Sequence, residues 1–113
     1  MAYQSVAQHF GDLIACGDYS AAWRLLAKEL QSITTPDAIK TSVERMIAYA
    51  SGPILQARVM EDGTVENWPS KQATDLAVVY VALNGESFSE AVVLTLAQYG
   101  EGALIRQLEW GRP

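Results

Sequence analysis

Four side chains in this sequence have the chemistry of a ligand-binding site: Trp23, Tyr80, Arg106 and Trp110. An arginine presents a planar fork of N–H donors that matches a carboxylate, and aromatic rings offer a stacking surface. If these side chains lie together, they would bind a small acidic or aromatic ligand. The structural alternative is a core in which Arg106 is neutralised by a nearby acid or reaches solvent past the rings.

Three residues are candidates for catalysis: Asp75, Tyr80 and His9. Asp75 would act as a general base if an apolar cavity raised its pKa, and a solvated carboxylate at a strand start is the alternative. His9, the only histidine, would need an orienting partner and a substrate within hydrogen-bond reach. No catalytic motif, metal cluster or phosphate loop stands out, so the sequence predicts neither a metal nor a cofactor.

The composition bounds the class of protein. The chain has 113 residues, of which 50% are hydrophobic and 19% charged, so we expect one domain over residues 1–113 with its own core. The formal charge of −5 and the lack of a basic cluster argue against nucleic acid as a partner. With no signal peptide and no run of apolar residues long enough to span a membrane, we expect a cytoplasmic protein without membrane contact. Cys16 is expected to be a small buried residue near a helix end.

The elements that must position these residues begin with three predicted helices. The first runs from Ala2 to Cys16 and stops at Gly17. Asp18 caps a second, whose apolar face extends from Tyr19 to Ile33. Thr35, with proline at the next position, begins a third that ends at residues 51–53.

Strand-like alternation follows the helices. We predict a hairpin with its turn at Asp62-Gly63, then three long strands joined by two-residue loops at Asn84-Gly85 and Gly100-Glu101. The predicted fold is α+β, with three N-terminal helices packed on a curved, mostly antiparallel sheet of four to five strands.

The predicted registers sort the sheet into two faces, both apolar at the centre. One carries the aromatic rings and Arg106, and we expect it to meet the helices and leave a partly polar cavity. The other is aliphatic, and we expect it to form a homodimer across a twofold axis. Its members are Val79, Val92, Leu94, Leu96 and Ile105. A slip of one residue would exchange the two roles.

The chain resembles the nuclear transport factor 2-like superfamily, a cone-shaped, cystatin-like α+β fold. The resemblance lies in the opening helical pair around residues 10–13 and 17–23, the helix after Thr35, and the long strands ending at Leu108-Glu109-Trp110. The ending at residues 105–113, with Trp68-Pro69, also resembles a group of uncharacterised small bacterial members. The resemblance implies a fold and no particular reaction.

Three classes of function follow as hypotheses. The first is a non-enzymatic binding or interaction protein, homodimeric and with a modest cone-shaped pocket, and we favour it because no catalytic constellation is present. The second is a small-molecule isomerase, dehydratase or cyclase that uses Asp75, Tyr80 or His9 in the cone. The third is a partner-neutralising, immunity-type protein that blocks a basic enzyme or toxin, which the negative charge permits.

Overall fold

The computed structural model describes residues 3–50 and 52–111. Helical segments precede a sheet of four strands in the order β1-β2-β3-β4, and each neighbouring pair is antiparallel. The fold is therefore α+β with the helices N-terminal to the sheet, as predicted. The elements are α1 (Tyr3–Cys16), α2 (Tyr19–Trp23), α3 (Lys28–Gln31), α4 (Pro36–Met46), β1 (Gln56–Val65), β2 (Asp75–Asn84), β3 (Ser89–Tyr99) and β4 (Gly102–Trp110).

The predicted helix caps are confirmed. Gly17 has φ +80° and ends α1, where its left-handed backbone costs little because glycine has no Cβ. The Asp18 side chain accepts a hydrogen bond from the N–H of Ala21, and the Thr35 side chain accepts one from the N–H of Ala38. The expectation of a buried Cys16 is wrong, because this last residue of α1 is exposed.

The prediction of one continuous second helix is wrong, and residues 3–50 contain four helical segments instead of the expected three. Between α2 and α3 the chain pairs in parallel with β4, at Leu26 and Ile105. The N–H of Ala27 donates to the carbonyl of Ile105 (2.7 Å), and the N–H of Ile105 donates to the carbonyl of Leu25 (3.0 Å). These bonds to the edge of the sheet replace the helical bonds that the apolar spacing predicted, so tertiary structure overrides local propensity.

The predicted hairpin at Asp62-Gly63 is also wrong. Residues 56–65 form one edge strand, β1, which is interrupted by an irregular bulge between Met60 and Val65. The bulge folds onto Tyr80, and a Cβ added to Gly63 would lie 2.6 Å from the Cβ of Tyr80. Glycine is therefore required at this position by a close contact rather than by a hairpin turn.

The two remaining turns differ in outcome. The two-residue loop at Gly100-Glu101 is confirmed, with Tyr99 opposite Gly102. The loop after Asn84 spans residues 85–88 instead of two residues, because Asn84 pairs with Ser89. The Phe88 side chain is buried and folds back over Gly85, whose N–H donates to the carbonyl of Phe88. The observed register of β2 with β3 differs from the predicted one by an even number of residues, so the side chains of these two strands lie on the predicted faces.

A one-residue bulge in β4 changes the faces. Leu96 pairs with Ile105 but Thr95 pairs with Gln107, so Arg106 is an extra residue with no opposite partner. Beyond the bulge, each side chain of β4 lies on the side of the sheet opposite to the predicted one. Leu108 and Trp110 therefore share a face with Leu94 and Val92. Trp110 was expected on the same face as Tyr80, but it lies on the other side of the sheet.

The assignment of the two sheet faces was wrong, since the aliphatic face meets the helices. The residues predicted to form the dimer contact are all 0% exposed in the core: Val79, Val92, Leu94, Leu96 and Ile105. They are buried against Phe10, Ile14 and other side chains of the helices. The predicted contact through these side chains is therefore ruled out. We call the other side of the sheet, which carries Tyr80, the outer face.

Helix α1 lies directly on β1 and β2. At the crossing point a Cβ on Gly11 would lie 2.8 Å from Cγ1 of Val81 and 2.9 Å from Cβ of Ala57. Such distances leave no room for a ligand between the helix and the sheet at this point.

No helix within the described residues is both long enough and apolar enough to cross a bilayer.

Candidate functional site

The predicted site residues are distributed over several places, and the first is an ion pair between Asp75 and Arg106. Arg106 Nε donates to Asp75 Oδ1 at 2.7 Å, and Arg106 Nη2 donates to Asp75 Oδ2 at 2.8 Å. The N–H of Gln72 also donates to Asp75 Oδ2, at 2.9 Å. The Asp75 side chain is 0% exposed and that of Arg106 is 22% exposed. The structural alternative for Arg106, neutralisation by a nearby acid, is therefore confirmed.

Two bulges bring this pair together across β3. Leu76 is an extra residue in β2 opposite Leu96 and Ala97, and Arg106 is the extra residue in β4 at nearly the same level of β3. Bulges bend a strand and redirect its side chains. Both bulges act on the start of β2 and the middle of β4, where Asp75 and Arg106 meet.

The electrostatics make Asp75 a poor general base. Burial of the carboxyl group raises the pKa of Asp75. The hydrogen bonds from Arg106 and Gln72, together with the charges of Arg106 and Lys71, lower it by more, so the pKa falls below the ordinary 3.8. A general base near neutral pH needs the opposite shift. The hydrogen bond to Asp75 raises the pKa of Arg106 in turn. Asp75 is also not the solvated carboxylate that was the alternative prediction.

Tyr99 extends this cluster toward α3. Its hydroxyl donates to Glu29 Oε2 at 2.9 Å, and burial together with this carboxylate raises the pKa of Tyr99. A backbone hydrogen bond and the Tyr99 hydroxyl lower the pKa of Glu29. The charged groups here have one another as partners, so the cluster fastens α3 and the end of the sheet together.

Tyr80 and His9 lie elsewhere. Tyr80 is half-buried on the outer face, between Met60 and Val93 on the neighbouring strands. His9 is exposed on α1, and its imidazole forms no hydrogen bond or ion pair with any residue that the structure describes. Neither residue is a hydrogen-bond partner of Asp75 or Arg106. Within residues 3–50 and 52–111, no group of three or more histidine, cysteine, aspartate or glutamate side chains could hold a metal ion.

The two tryptophans of the predicted site are also separated. Trp23 is half-buried, and its indole Nε1 donates to the carbonyl of Thr34 at 2.6 Å, which holds the connection between α3 and α4. Trp110 packs against Phe10 of α1, with the ring centroids 6.2 Å apart and the planes at 39°. Trp23 therefore has a structural role, while Trp110 keeps part of its ring accessible.

An open depression of about 450 Å³ lies next to Trp110, between the C-terminal half of α4 and the end of β4. We call it the α4–β4 depression. It is lined by Ser42, Arg45, Met46, Glu90, Trp110 and Gly111. Its volume is in the range of small-molecule sites. Tyr80, Arg106 and Trp23 do not line it.

The scan against protein-family models found no match, and neither the search of curated proteins nor that of solved structures found one. The function therefore has to be argued from the geometry. Trp110 was among the predicted pocket residues, whereas its neighbours Arg45, Met46 and Glu90 were not. Arg45 and Met46 fall on a predicted helix, and helical spacing alone gives no sign that their side of α4 faces the end of the last strand.

Proposed function

We propose that this chain is a small binding protein with the nuclear transport factor 2-like fold, and that it assembles as a homodimer through the outer face of its sheet. N-terminal helices on one face of a bulged antiparallel sheet are what that fold requires, and a cone-like shape and a cytoplasmic location belong to the same proposal. The arrangement of the outer face supports the dimer.

The apolar centre of the outer face carries the proposal. Cross-strand partners place Met60, Tyr80 and Val93 in one row, and Val65 and Val78 in the next. All five are half-buried or exposed, and Val65 is 44% exposed. A sheet face that meets water normally carries polar side chains at such positions. A contiguous apolar surface on a folded chain favours a partner that covers it.

The charges at the border favour a second copy as this partner. Arg58 lies on the outer face of β1, opposite Ala82, and Glu109 lies on the outer face of β4, opposite Val93. A twofold axis parallel to the strands places β1 of one copy over β4 of the other. Each contact would then bring Arg58 of one copy toward Glu109 of the other, twice in the dimer.

Sedimentation equilibrium at micromolar concentrations tests the proposal. We expect a dimer for the natural sequence and a monomer for Val93→Lys, because a lysine at the centre of the outer face would bury a charge. Ile33→Lys is the matched control, since Ile33 is 81% exposed in the connection between α3 and α4, and it should leave the dimer intact. A natural sequence that stays monomeric throughout this range would overturn the proposal.

The enzyme hypothesis gains no supporting observation. Asp75 is bound on both carboxylate oxygens and its pKa is lowered. His9 is exposed and has no orienting partner among the residues described. The interior is closed where α1 crosses the sheet. These observations favour binding over catalysis as the proposed role.

A further inference from the structure

The α4–β4 depression is separate from the outer face and contains a fixed aromatic ring. Trp110 is held by the pairing of β4 with Val92 and by the bond from the N–H of Gly111 to the carbonyl of Ala91 (2.8 Å). Its ring packs on Phe10, which is fully buried. The half-buried indole is therefore a rigid surface on which a flat group can stack without a large loss of side-chain entropy. Met46, also half-buried, supplies a second apolar wall.

The cation of the depression is Arg45, in the last turn of α4. Its side chain is exposed and forms no hydrogen bond or ion pair with any residue that the structure describes. This distinguishes it from Arg106, whose guanidinium is occupied by Asp75. A guanidinium with its donors available accepts a carboxylate in a bidentate arrangement.

The acid of the depression is already engaged. The hydroxyl of Tyr49 donates to Glu90 Oε2 at 2.8 Å, and the Tyr49 ring packs edge-on against Phe88. Glu90 is 9% exposed, whereas Arg45 is exposed, and the two form no ion pair. The accessible charge at this site is therefore positive.

We propose that the α4–β4 depression binds a small amphipathic monocarboxylate, with its aromatic body on Trp110 and Met46 and its carboxylate on Arg45. The ligand class follows from the pairing of an indole platform with an available guanidinium. This site does not depend on the dimer, because Trp110 is on the helix side of the sheet and the proposed dimer contact is on the outer face.

The test uses naphthalene-2-carboxylate as the probe, followed by amide chemical shifts and by isothermal titration calorimetry. We expect saturable binding tighter than about 1 mM, with the largest shifts at Trp110 and at the end of α4. Arg45→Gln should weaken the affinity about tenfold or more, since it removes a charge-assisted hydrogen bond. Arg24→Gln, which changes an exposed arginine beyond the end of α2, should leave the affinity unchanged.

Two comparisons separate this site from nonspecific stacking and from the dimer. Naphthalene-2-carboxamide should bind at least about tenfold more weakly than the acid, and the naphthylmethyl ammonium ion should not bind better than the amide. The monomeric Val93→Lys variant should bind the acid as well as the natural sequence does, so loss of the dimer alone leaves this proposal standing. Three outcomes would overturn the proposed site: no saturable binding at several millimolar probe (~5 mM), an affinity that Arg45→Gln does not change, or tighter binding of the ammonium ion than of the acid.

Discussion

The Asp75–Arg106 pair shows how a single side chain can have a structural role where a functional one was predicted. Asp75 has no exposed side-chain surface and accepts three hydrogen bonds, two from Arg106 and one from the backbone. Burial of a charged group costs free energy unless it is paired and hydrogen-bonded, and both conditions are met here. Removal of either residue should therefore lower the stability of the fold, by an amount that depends on which of the two residues remains.

We expect the contribution of this pair to stability to depend on pH. The pKa of Asp75 is lower in the folded chain than the ordinary 3.8, so the stabilisation is fully present above about pH 5. It is lost as the pH falls through 3.8 toward the lower pKa of the folded state. Asp75→Asn should cost roughly 2 kcal/mol at pH 7, and the difference from the natural sequence should shrink at pH 3. Urea unfolding at both pH values measures this.

Arg106→Met provides the comparison for that experiment. It leaves a fully buried carboxylate without a cation, so at pH 7 it should cost more than Asp75→Asn, about 3–5 kcal/mol. Equal losses for Asp75→Asn at pH 3 and pH 7 would mean that the charge of Asp75 does not contribute to the stability of the fold.

At the scale of elements, both edges of the sheet are partly covered. The chain between α2 and α3 pairs with β4 at Ile105. At the other edge, Gln8 of α1 replaces a strand: its Nε2 donates to the carbonyl of Ala57 at 2.8 Å, and its Oε1 accepts from the N–H of Val59 at 3.0 Å. The same Nε2 donates to Asp12. Covered edges reduce the pairing of one sheet with another.

Gln8→Leu should therefore have two effects. It should lower the free energy of unfolding by about 1–2 kcal/mol, because the two backbone groups of β1 lose their partner. It should also promote association through the edge of β1, visible as larger species in light scattering as the concentration rises. Gln4→Leu, one turn earlier on an exposed part of α1, is the matched control and should change neither. If the two variants behave alike, Gln8 does not protect this edge.

The sequence predicted the features that depend on neighbouring residues. Gly17, Asp18 and Thr35 act within one turn of their own position, and each behaves as expected. The missed features depend on contacts distant in the chain. The break after α2 requires Ile105, and the bulge at Arg106 is stabilised by Asp75, so neither has a local signal.

The candidate site follows the same rule. Trp110 lines the α4–β4 depression, but Tyr80, Arg106 and Trp23, which were expected to share a pocket with it, do not. The prediction that Arg106 supplies the cation was wrong because one extra residue in β4 changes which side chains share a face. Arg45, the available cation, comes from an element whose contact with β4 the sequence does not indicate.

For the whole molecule, the two sides of the sheet have different roles. The inner side is closed over a core with Leu94, Leu96 and Ile105 at 0% exposure. The outer side leaves an apolar centre with charges at its borders. Small α+β domains bury only part of their apolar surface within one chain, so a second copy is a physically reasonable cover.

A charge exchange tests the geometry of the proposed dimer. Arg58→Glu alone and Glu109→Arg alone should each weaken association about threefold to tenfold, because each opposes like charges twice across the twofold axis. The double variant should restore most of the affinity, since opposite charges then meet again. Analytical ultracentrifugation measures the dissociation constants, and Arg24→Glu controls for net charge. Additive losses in the double variant would contradict this orientation of the two copies.

The parallel bridge between Leu26 and Ile105 joins the early and late parts of the chain. We expect these two distant segments to pair late, because closing so long a loop costs entropy that ordering of the intervening strands reduces. The stretch from α2 to α3 should therefore acquire its native hydrogen bonds among the last events of refolding. Its amides should also be among the first to exchange with deuterated water when the native chain opens locally.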